Sequence, residues 1–260
     1  MPSATLSPAQ PPASHRPAYR LAREVVLVSI ADGSARLLDL QGQFFALSEV
    51  AAQMLGDTLE LGRGGAAESV ARRWEVDVER VKRDLDTFLA ELLRRGLLVP
   101  ADQPDRRPPP GDLLAGMVLS ALVRLTCGLW RTLKGKAAGL LALAHLSCRW
   151  LGWVGTVRLF QRLFPQPERI LDGPAAEEAW RAIDEAVRQA VAQSVLSHAC
   201  KQRGLTSWAL ARRAGLAPRL VIGLSLCPLH GHCWAQLGPM IILGDDLDRC
   251  AEYEPVRTYE

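Results

Sequence analysis

The chain has 260 residues, which exceeds the usual size of one domain, so we expect two modules that each bury their own core. Its formal net charge is only +3, and acidic and basic residues are interspersed, so the composition gives no strong footprint for nucleic acid as a partner. All six cysteines lie between residues 127 and 250 without the dense spacing of a disulfide scaffold, which favours a reducing, cytoplasmic location.

Composition predicts four segments along the chain. Residues 1–20 are rich in proline, alanine and serine and lack the charge pattern of a secretory signal, so we expect a disordered tail. A first folded module covers 21–100. Residues 101–112 include the run ADQPDRRPPP and predict an extended, stiff linker. The remainder, 113–260, forms the second module with a helical segment at its start.

The first module begins with a pattern typical of strands. Three short runs rich in β-branched and aromatic residues, EVVLVSI, ARLLDL and QFFAL, are divided by the pairs Asp32-Gly33 and Gln41-Gly42. Short runs separated by glycine-containing turns predict a three-stranded antiparallel meander.

Three helices are predicted after the strands. Ser48 is suited to cap a helix over 49–55, a second helix covers 66–74, and Asp77 caps a third from 78 to about 95. The third helix has one apolar stripe at three- and four-residue steps: Val78, Val81, Leu85, Phe88, Leu89 and Leu92. Three strands followed by three helices predict a small winged-helix-like domain.

The stretch from ARLLDLQGQFFAL through VARRWEVDVERVKRDLDTFLAELLRRGLLVP resembles the PqqD-like peptide-recognition domains of ribosomal peptide biosynthesis. The resemblance implies that the leader of a precursor peptide adds as an extra strand beside the third strand and rests against the third helix. Strand addition gives affinity through main-chain hydrogen bonds and register through side-chain pockets.

Carried onto this chain, the resemblance implies a binding edge at Gln43, Phe44 and Phe45, facing the helix around Val81 and Leu85. The alternative is that Phe44, Val81 and Leu85 are ordinary core residues, as most apolar residues are.

The same topology also serves to bind DNA through a recognition helix. The third helix carries Arg80, Lys82 and Arg83, but acidic residues interleave with them. This mixture favours a solvated face.

Residues 113–164 are strongly apolar, yet basic residues interrupt every window long enough to span a bilayer. Because a central arginine is costly in lipid, we expect buried or surface-lying amphipathic helices rather than a span. Contact with a membrane surface, a transporter or a partner enzyme stays open, and Trp130, Trp150 and Trp153 would suit it.

A candidate nucleophile lies in the second module. Pro174 begins a helix, and Ser197 is suited to cap a further helix that places Cys200 in its first turn. A thiol at a helix N-terminus is stabilised as the thiolate by the unpaired amides and the dipole. Since nothing between Ala175 and Ala199 breaks the helical pattern, Cys200 could instead lie in the middle of one long helix, as a small buried hydrophobic residue.

Three strands are predicted next, at 219–226, 233–237 and 240–243, with Gly238-Pro239 as a tight turn. A two-residue turn would pair Leu237 with the residue at 240 and so set His232 opposite Asp245. Neighbours across strands have Cβ atoms about 5 Å apart, which lets a carboxylate orient an imidazole. A slip of one residue would turn Asp245 to the other face, so Asp246 and Asp248 are alternatives.

The segments ACKQRGLTSWALARRAGLAPRLVIGL, GHCWAQLG and IILGDD are similar to the transglutaminase-like cysteine peptidases known as lasso peptide B proteins, over about 175–250. The resemblance implies a mixed α+β chain whose C-terminal part is a transglutaminase-like, papain-related peptidase domain. It implies Cys200 as nucleophile, His232 as base and Asp245 as the residue that orients the base. Lys201 and Cys233 depart from the family pattern.

A metal site is the rival interpretation of the same region. The run CPLHGHC brings together Cys227, His230, His232 and Cys233, which are ligand types that zinc accepts. Adjacent strand residues point to opposite faces, which disfavours tetrahedral binding by all four, so we predict no metal.

Together the two resemblances imply a leader peptidase of lasso peptide maturation. It needs no cofactor, binds the precursor peptide, and hands the core to an asparagine-synthetase-like, ATP-using macrolactam synthetase. The alternatives are a leader-binding adaptor without activity, a winged-helix DNA-binding regulator, and an acyl-transfer enzyme of transglutaminase type.

Overall fold

A computed structural model describes residues 18–40, 43–103, 110–226, 229–238, 241–243 and 250–260. The chain divides into two compact units. The first comprises Met1–Leu37 with Phe45–Asp105, and the second comprises Leu38–Phe44 with Arg106–Glu260. The fold is mixed α+β, as the sequence predicts.

The N-terminal sheet follows the predicted meander. Strands β2 (Val25–Ser29), β3 (Ala35–Asp39) and β4 (Gln43–Leu47) form a three-stranded sheet in the order β2-β3-β4. Within the described residues β4 is therefore an edge strand. Gly33 in the first turn has φ 83°, a conformation that glycine adopts without steric cost.

A second, two-stranded sheet was not predicted. Strand β1 (Tyr19–Leu21) pairs antiparallel with β5 (Leu98–Pro100). The prediction of a disordered tail over 1–20 is wrong for Tyr19 and Arg20, because pairing with a strand almost 80 residues away in sequence leaves no local signal. Residues 1–17 lie outside the described part of the chain.

Helix α1 (Glu49–Trp74) replaces the first two predicted helices. The Ser48 side chain accepts a hydrogen bond from the Ala51 amide at 3.3 Å, as predicted for its cap. The two predicted segments are continuous except for one residue, Gly62, whose φ of 74° interrupts the helix.

Helix α2 (Val78–Arg94) confirms the third predicted helix. The Asp77 carboxylate accepts from the Arg80 amide at 2.9 Å, and Gly96 ends the helix with φ 69°. Its buried residues are Val81, Leu85, Leu89 and Leu92, which join the apolar core of the first unit.

Two helices follow the linker. Helix α3 (Pro110–Leu129) begins inside the segment predicted as linker, because proline is tolerated in the first turn of a helix, where its missing N–H leaves no hydrogen bond unmade. Helix α4 (Leu133–Leu163) is capped by Thr132 and interrupted at Gly152, where φ is 67°. Both lie in the region predicted to be amphipathic and helical.

Helix α4 is long and apolar enough to cross a membrane by length and composition, and it is the one such helix among the described residues. Within its most apolar window, 44% of the residues are buried inside the protein. Because the core helix of a water-soluble protein passes the same test, this is weak evidence for a span.

The second unit ends in a sheet backed by helices. Helices α5 (Gly173–Ala192) and α6 (Cys200–Arg213) precede strands β6 (Arg219–Leu226), β7 (Leu229–Leu237), β8 (Ile241–Leu243) and β9 (Glu254–Tyr259). The sheet order is β8-β7-β6-β9, with each described pair antiparallel. The sequence predicted the first three strands and missed β9.

Candidate active site and peptide-binding strand

Cys200 is the first residue of helix α6. Helix α5 stops at Ala192 and seven residues separate the two helices, so the alternative of one continuous helix through Cys200 is wrong. The predicted cap at Ser197 is also wrong, since Ala199 occupies the cap position and makes no side-chain hydrogen bond. No side chain caps the start of α6, and the N-terminal end of a helix is an environment that favours a thiolate. The Cys200 side chain is half-buried.

Helix α6 is packed tightly on strand β7. A Cβ atom added at Gly204 would lie 3.1 Å from the Cys233 carbonyl oxygen and 3.2 Å from the Trp234 Cα. Only glycine allows so close an approach of helix and strand without a shift of the backbone. Cys200 lies one turn before Gly204 on the same side of the helix, so the start of α6 is directed towards β7.

Cys233 follows His232 on β7 and is buried, with 3% of its surface exposed. Burial raises the pKa of Cys233 well above its ordinary value of 9.0, and the neighbouring Cys200 raises it further. Cys233 therefore stays a neutral thiol.

His232 is buried on β7, with 9% of its surface exposed. Its ring stacks on Trp234 at 5.8 Å between centroids and lies 5.2 Å from the ring of Tyr253. Opposite His232 in the sheet is Gly223, where a Cβ would come within 2.6 Å of the Trp234 ring and 2.7 Å of the Tyr253 Cβ. Glycine at that position leaves room for the aromatic side chains.

Tyr253 was missed by sequence reasoning. Its hydroxyl is 2.7 Å from His230 Nδ1, so the tyrosine holds His230 and packs against His232 on one side of β7. A lone tyrosine in the C-terminal segment gives no signal in the sequence. Because strand residues alternate, Cys233 points to the opposite face of β7 from His232.

Asp245 lies outside the described residues, as do Asp246 and Asp248. The observed register nevertheless bears on the choice among them. Ala235 pairs with Leu243 and Leu237 pairs with Ile241, a shift of one residue from the predicted pairing. The prediction that placed Asp245 opposite His232 assumed a two-residue turn, and this assumption is wrong. The register thus removes the argument that favoured Asp245 over Asp246.

A second histidine lies close to the start of α6. His198 is buried, and its Nε2 is 2.7 Å from the Ser194 hydroxyl. Its ring contacts that of His145 edge to face at 6.2 Å between centroids. Burial lowers the pKa of His198 below its ordinary value of 6.5, and His145 and Arg203 act in the same direction. The only sequence signal was its place two residues before Cys200.

The predicted peptide-binding residues fall into two groups. Gln43 is exposed on the edge strand β4, and Phe44 and Phe45 beside it are half-buried. Val81 and Leu85 are only 3% and 0% exposed and belong to the core. For these two residues the core interpretation is correct in the free protein, so they position α2 and do not offer an open surface.

Two known families match this chain. Residues 24–98 match the family described as coenzyme PQQ synthesis protein D (PqqD), and residues 141–258 match the transglutaminase-like superfamily. The chain joins a PqqD-like domain to a transglutaminase-like domain. No match was found among the curated proteins or among the solved structures. The matched ranges contain the edge strand β4 in the PqqD-like domain, and Cys200 and His232 in the transglutaminase-like domain.

Two basic residues of α2 in the PqqD-like domain pair with acidic residues of the same helix. Lys82 Nζ lies 2.7 Å from Glu79, and Arg80 lies 3.9 Å from Asp84. The salt bridge with Glu79 raises the pKa of Lys82. These pairs agree with the solvated face that the interleaved charges predict.

The rival metal site is not assembled in the described part of the transglutaminase-like domain. No group of three histidine, cysteine, aspartate or glutamate side chains there is close enough to hold a metal ion. Cys227, one of the four candidate ligands, lies outside the described residues. His230 and Cys233 point to opposite faces of β7, as expected for residues an odd number of positions apart.

Proposed function

We propose that this protein is a leader peptidase that binds a ribosomally made precursor through its PqqD-like domain and hydrolyses the leader–core bond with its transglutaminase-like domain. The observation that carries the proposal is the position of Cys200. It opens a helix that is seated on the strand bearing His232, inside the range that matches the transglutaminase-like superfamily. The transglutaminase-like superfamily has a cysteine-protease-like fold, and Cys200 is only half-buried.

In the proposed reaction, Cys200 Sγ attacks the carbonyl carbon of the last leader residue while His232 takes the thiol proton. The resulting oxyanion is stabilised by amides at the start of α6, because they have no side-chain cap. His232 then protonates the leaving amine, which becomes the N-terminus of the core. Water, activated by the same imidazole, hydrolyses the thioester and releases the leader.

The third catalytic residue in this proposal is Asp245 or Asp246. Either carboxylate would hold the His232 ring in one tautomer and stabilise its protonated form. The choice is tested by measuring cleavage by Asp245→Asn and Asp246→Asn separately. A loss confined to one variant identifies the residue.

Leader binding is proposed at the β4 edge, through Gln43, Phe44 and Phe45. Support comes from the exposed edge of the three-stranded sheet and from the match to PqqD. The core peptide would pass to an asparagine-synthetase-like macrolactam synthetase, as the likeness to lasso peptide B proteins implies. A ribosomal precursor and an ATP-using partner both belong in the cytoplasm.

Mass spectrometry of the precursor tests the proposal and distinguishes it from its rivals. The precursor is incubated with the wild type, with Cys200→Ala, and with either protein plus the synthetase. Two fragments whose masses add to the precursor plus one water indicate hydrolysis at the leader–core bond. A product without added water indicates acyl transfer. An intact precursor that nevertheless binds the protein indicates an adaptor and contradicts the proposed peptidase.

A further inference from the structure

Helix α3 exposes apolar side chains on the side where a helix of a water-soluble protein is usually polar. It packs inward through Leu119, Val123 and Cys127, each at most 5% exposed. The opposite side carries six apolar residues that are 36% to 69% exposed: Leu114, Met117, Val118, Leu122, Leu125 and Leu129. We call these six residues the α3 stripe.

The α3 stripe is continuous along the helix. Its members follow one another at steps of three or four residues, apart from the neighbours Met117 and Val118, so they share one face. Trp130, 50% exposed, extends the stripe at its C-terminal end. Exposed apolar residues are common singly, but a contiguous row of this length marks a surface that contacts another apolar phase.

The sequence between residues 113 and 167 carries charges of a single sign. Between Asp112 and Glu168 there are seven arginine or lysine residues and no aspartate or glutamate, although the whole chain has a net charge of only +3. Five of the seven are exposed: Arg124, Arg131, Arg149, Arg158 and Arg162. The segment that carries the apolar stripe is therefore also the most basic part of the protein, which complements an anionic surface.

Three arginines converge at the flank of α3, next to its inward-facing residues Val123 and Cys127. A cavity of about 100 Å³ is lined by Arg124 of α3, Arg162 of α4 and Arg213 at the end of α6. Guanidinium groups bind phosphate oxygens in a bidentate manner, and three of them at one cavity form a suitable site for a phosphate.

We propose that the α3 stripe docks on an anionic lipid bilayer, with Arg124, Arg162 and Arg213 contacting headgroup phosphates. An apolar face with tryptophan and basic flanks is the pattern of helices that lie in the membrane interface. In this arrangement helix α3 lies in the membrane interface and does not cross the bilayer. Its segment 114–129 is about 24 Å long, shorter than the roughly 30 Å of hydrocarbon that a span must cross, and its inner side packs against α4.

Vesicle co-sedimentation of the full chain tests the proposal directly. Vesicles of phosphatidylcholine alone are compared with vesicles of an equimolar mixture of phosphatidylcholine and phosphatidylglycerol. Wild-type protein is expected to sediment with the mixed vesicles, to stay in solution with phosphatidylcholine alone, and to be released by high salt. Failure to bind the mixed vesicles overturns the proposal, and so does retention in the membrane after carbonate extraction.

Two sets of variants locate the binding surface. Val118→Glu with Leu125→Glu removes two exposed members of the stripe and is expected to lower vesicle affinity at least tenfold per residue, about 100-fold in total. Ile170→Glu is the matched control, because Ile170 is 62% exposed but lies outside α3, and its affinity is expected to be unchanged. Equal binding by the stripe variant and the control contradicts the assignment.

The arginine cavity has its own control. Replacement of Arg124, Arg162 and Arg213 by glutamine is expected to weaken binding about fivefold per arginine. The same change of charge at Arg72, Arg80 and Arg83 of the PqqD-like domain is expected to have less effect. Thermal unfolding of each variant verifies that it is folded. If gel filtration shows a wild-type dimer that the stripe variant converts to a monomer, the stripe is an interface between copies and the lipid proposal is wrong.

Discussion

The cores of the two units differ in the polarity of their buried residues. In the described part of the first unit the buried residues are apolar except for Thr58, whose hydroxyl donates to the Met54 carbonyl oxygen. Among its described residues, the second unit buries seven polar or charged side chains: Ser147, Thr156, His198, Thr206, Ser207, Arg212 and His232. Buried polar groups are costly, so they persist where a structure needs them for positioning or chemistry.

This difference agrees with the roles proposed for the two units, which are peptide binding in the first and catalysis in the second. The first unit is a scaffold whose surface presents a strand edge, and its core needs only to be well packed. The second unit holds a thiol and an imidazole on adjacent elements, α6 and β7.

Replacement of the nucleophile should abolish cleavage without affecting binding. Cys200→Ala is expected to lower the cleavage rate by at least about 10³-fold, because the thioester cannot form. Affinity for a labelled leader peptide, measured by fluorescence anisotropy, should stay at the wild-type level. Cleavage by the variant at more than a tenth of the wild-type rate would show that the sulfur is not required.

The two buried histidines should differ in their effect on the rate. His232→Gln is expected to lower kcat by about 10²- to 10⁴-fold, because it removes the general base. His198→Gln should leave kcat within a few-fold of the wild type, since its ring is held by Ser194. Steady-state kinetics on the precursor measures both. The opposite order of effects would assign the base to His198.

A substitution in the edge strand β4 should raise KM. Phe44→Ala is expected to weaken leader binding and raise KM about tenfold, with kcat nearly unchanged, because it removes apolar contact area at the binding edge and leaves the thiol intact. Leu61→Ala, at an exposed apolar residue of the same domain, serves as the control. If both variants have wild-type KM, the leader binds elsewhere.

Two glycines on helices should respond in opposite ways to alanine. Gly204→Ala is expected to destabilise the protein by about 1 to 3 kcal/mol, because the methyl group would press on the β7 backbone. Gly56→Ala on α1 meets no atom within 4 Å and should stabilise by up to about 1 kcal/mol, since alanine is the better helix former. Denaturant unfolding of both variants measures these effects. A neutral effect at Gly204 would mean that α6 is not packed tightly on β7.

Acid should destabilise the second unit through His198. Its folded-state pKa lies below the ordinary value of 6.5, so the unfolded chain binds the proton more readily. The contribution of His198 is present above pH 6.5 and is lost as the pH falls below it. The free energy of unfolding of His198→Gln should therefore fall less steeply with decreasing pH than that of the wild type. Identical slopes would contradict a buried neutral imidazole.

Local patterns in the sequence predicted much of the fold. The caps at Ser48 and Asp77, the stripe of α2 and the exact span of β6 all follow from residues near one another in the chain. What was missed depends on distant partners. Strands β1 and β9 form by pairing with strands far along the sequence, and short polar segments have no period that reveals such pairing.

Prediction of the candidate site had the same limit, because contacts between residues far apart in the sequence were missed. Cys200 in the first turn of a helix was predicted correctly, whereas the strand predicted at 233–237 began one residue after His232, which lies within β7. The register of β7 with β8 was wrong by one residue, because the turn chemistry at Gly238-Pro239 does not fix the loop length. Tyr253 and His198 were missed, since their roles come from packing against other residues.

The central claim is that Cys200 becomes acylated by the leader during cleavage. Intact-protein mass spectrometry, with rapid acid quenching after mixing with precursor, measures this directly. The wild type is expected to gain the mass of the leader less one water, in an adduct that hydroxylamine removes and that peptide mapping assigns to Cys200. Cleavage of the precursor by a protein that carries no such adduct, and equally by Cys200→Ala, would contradict the account.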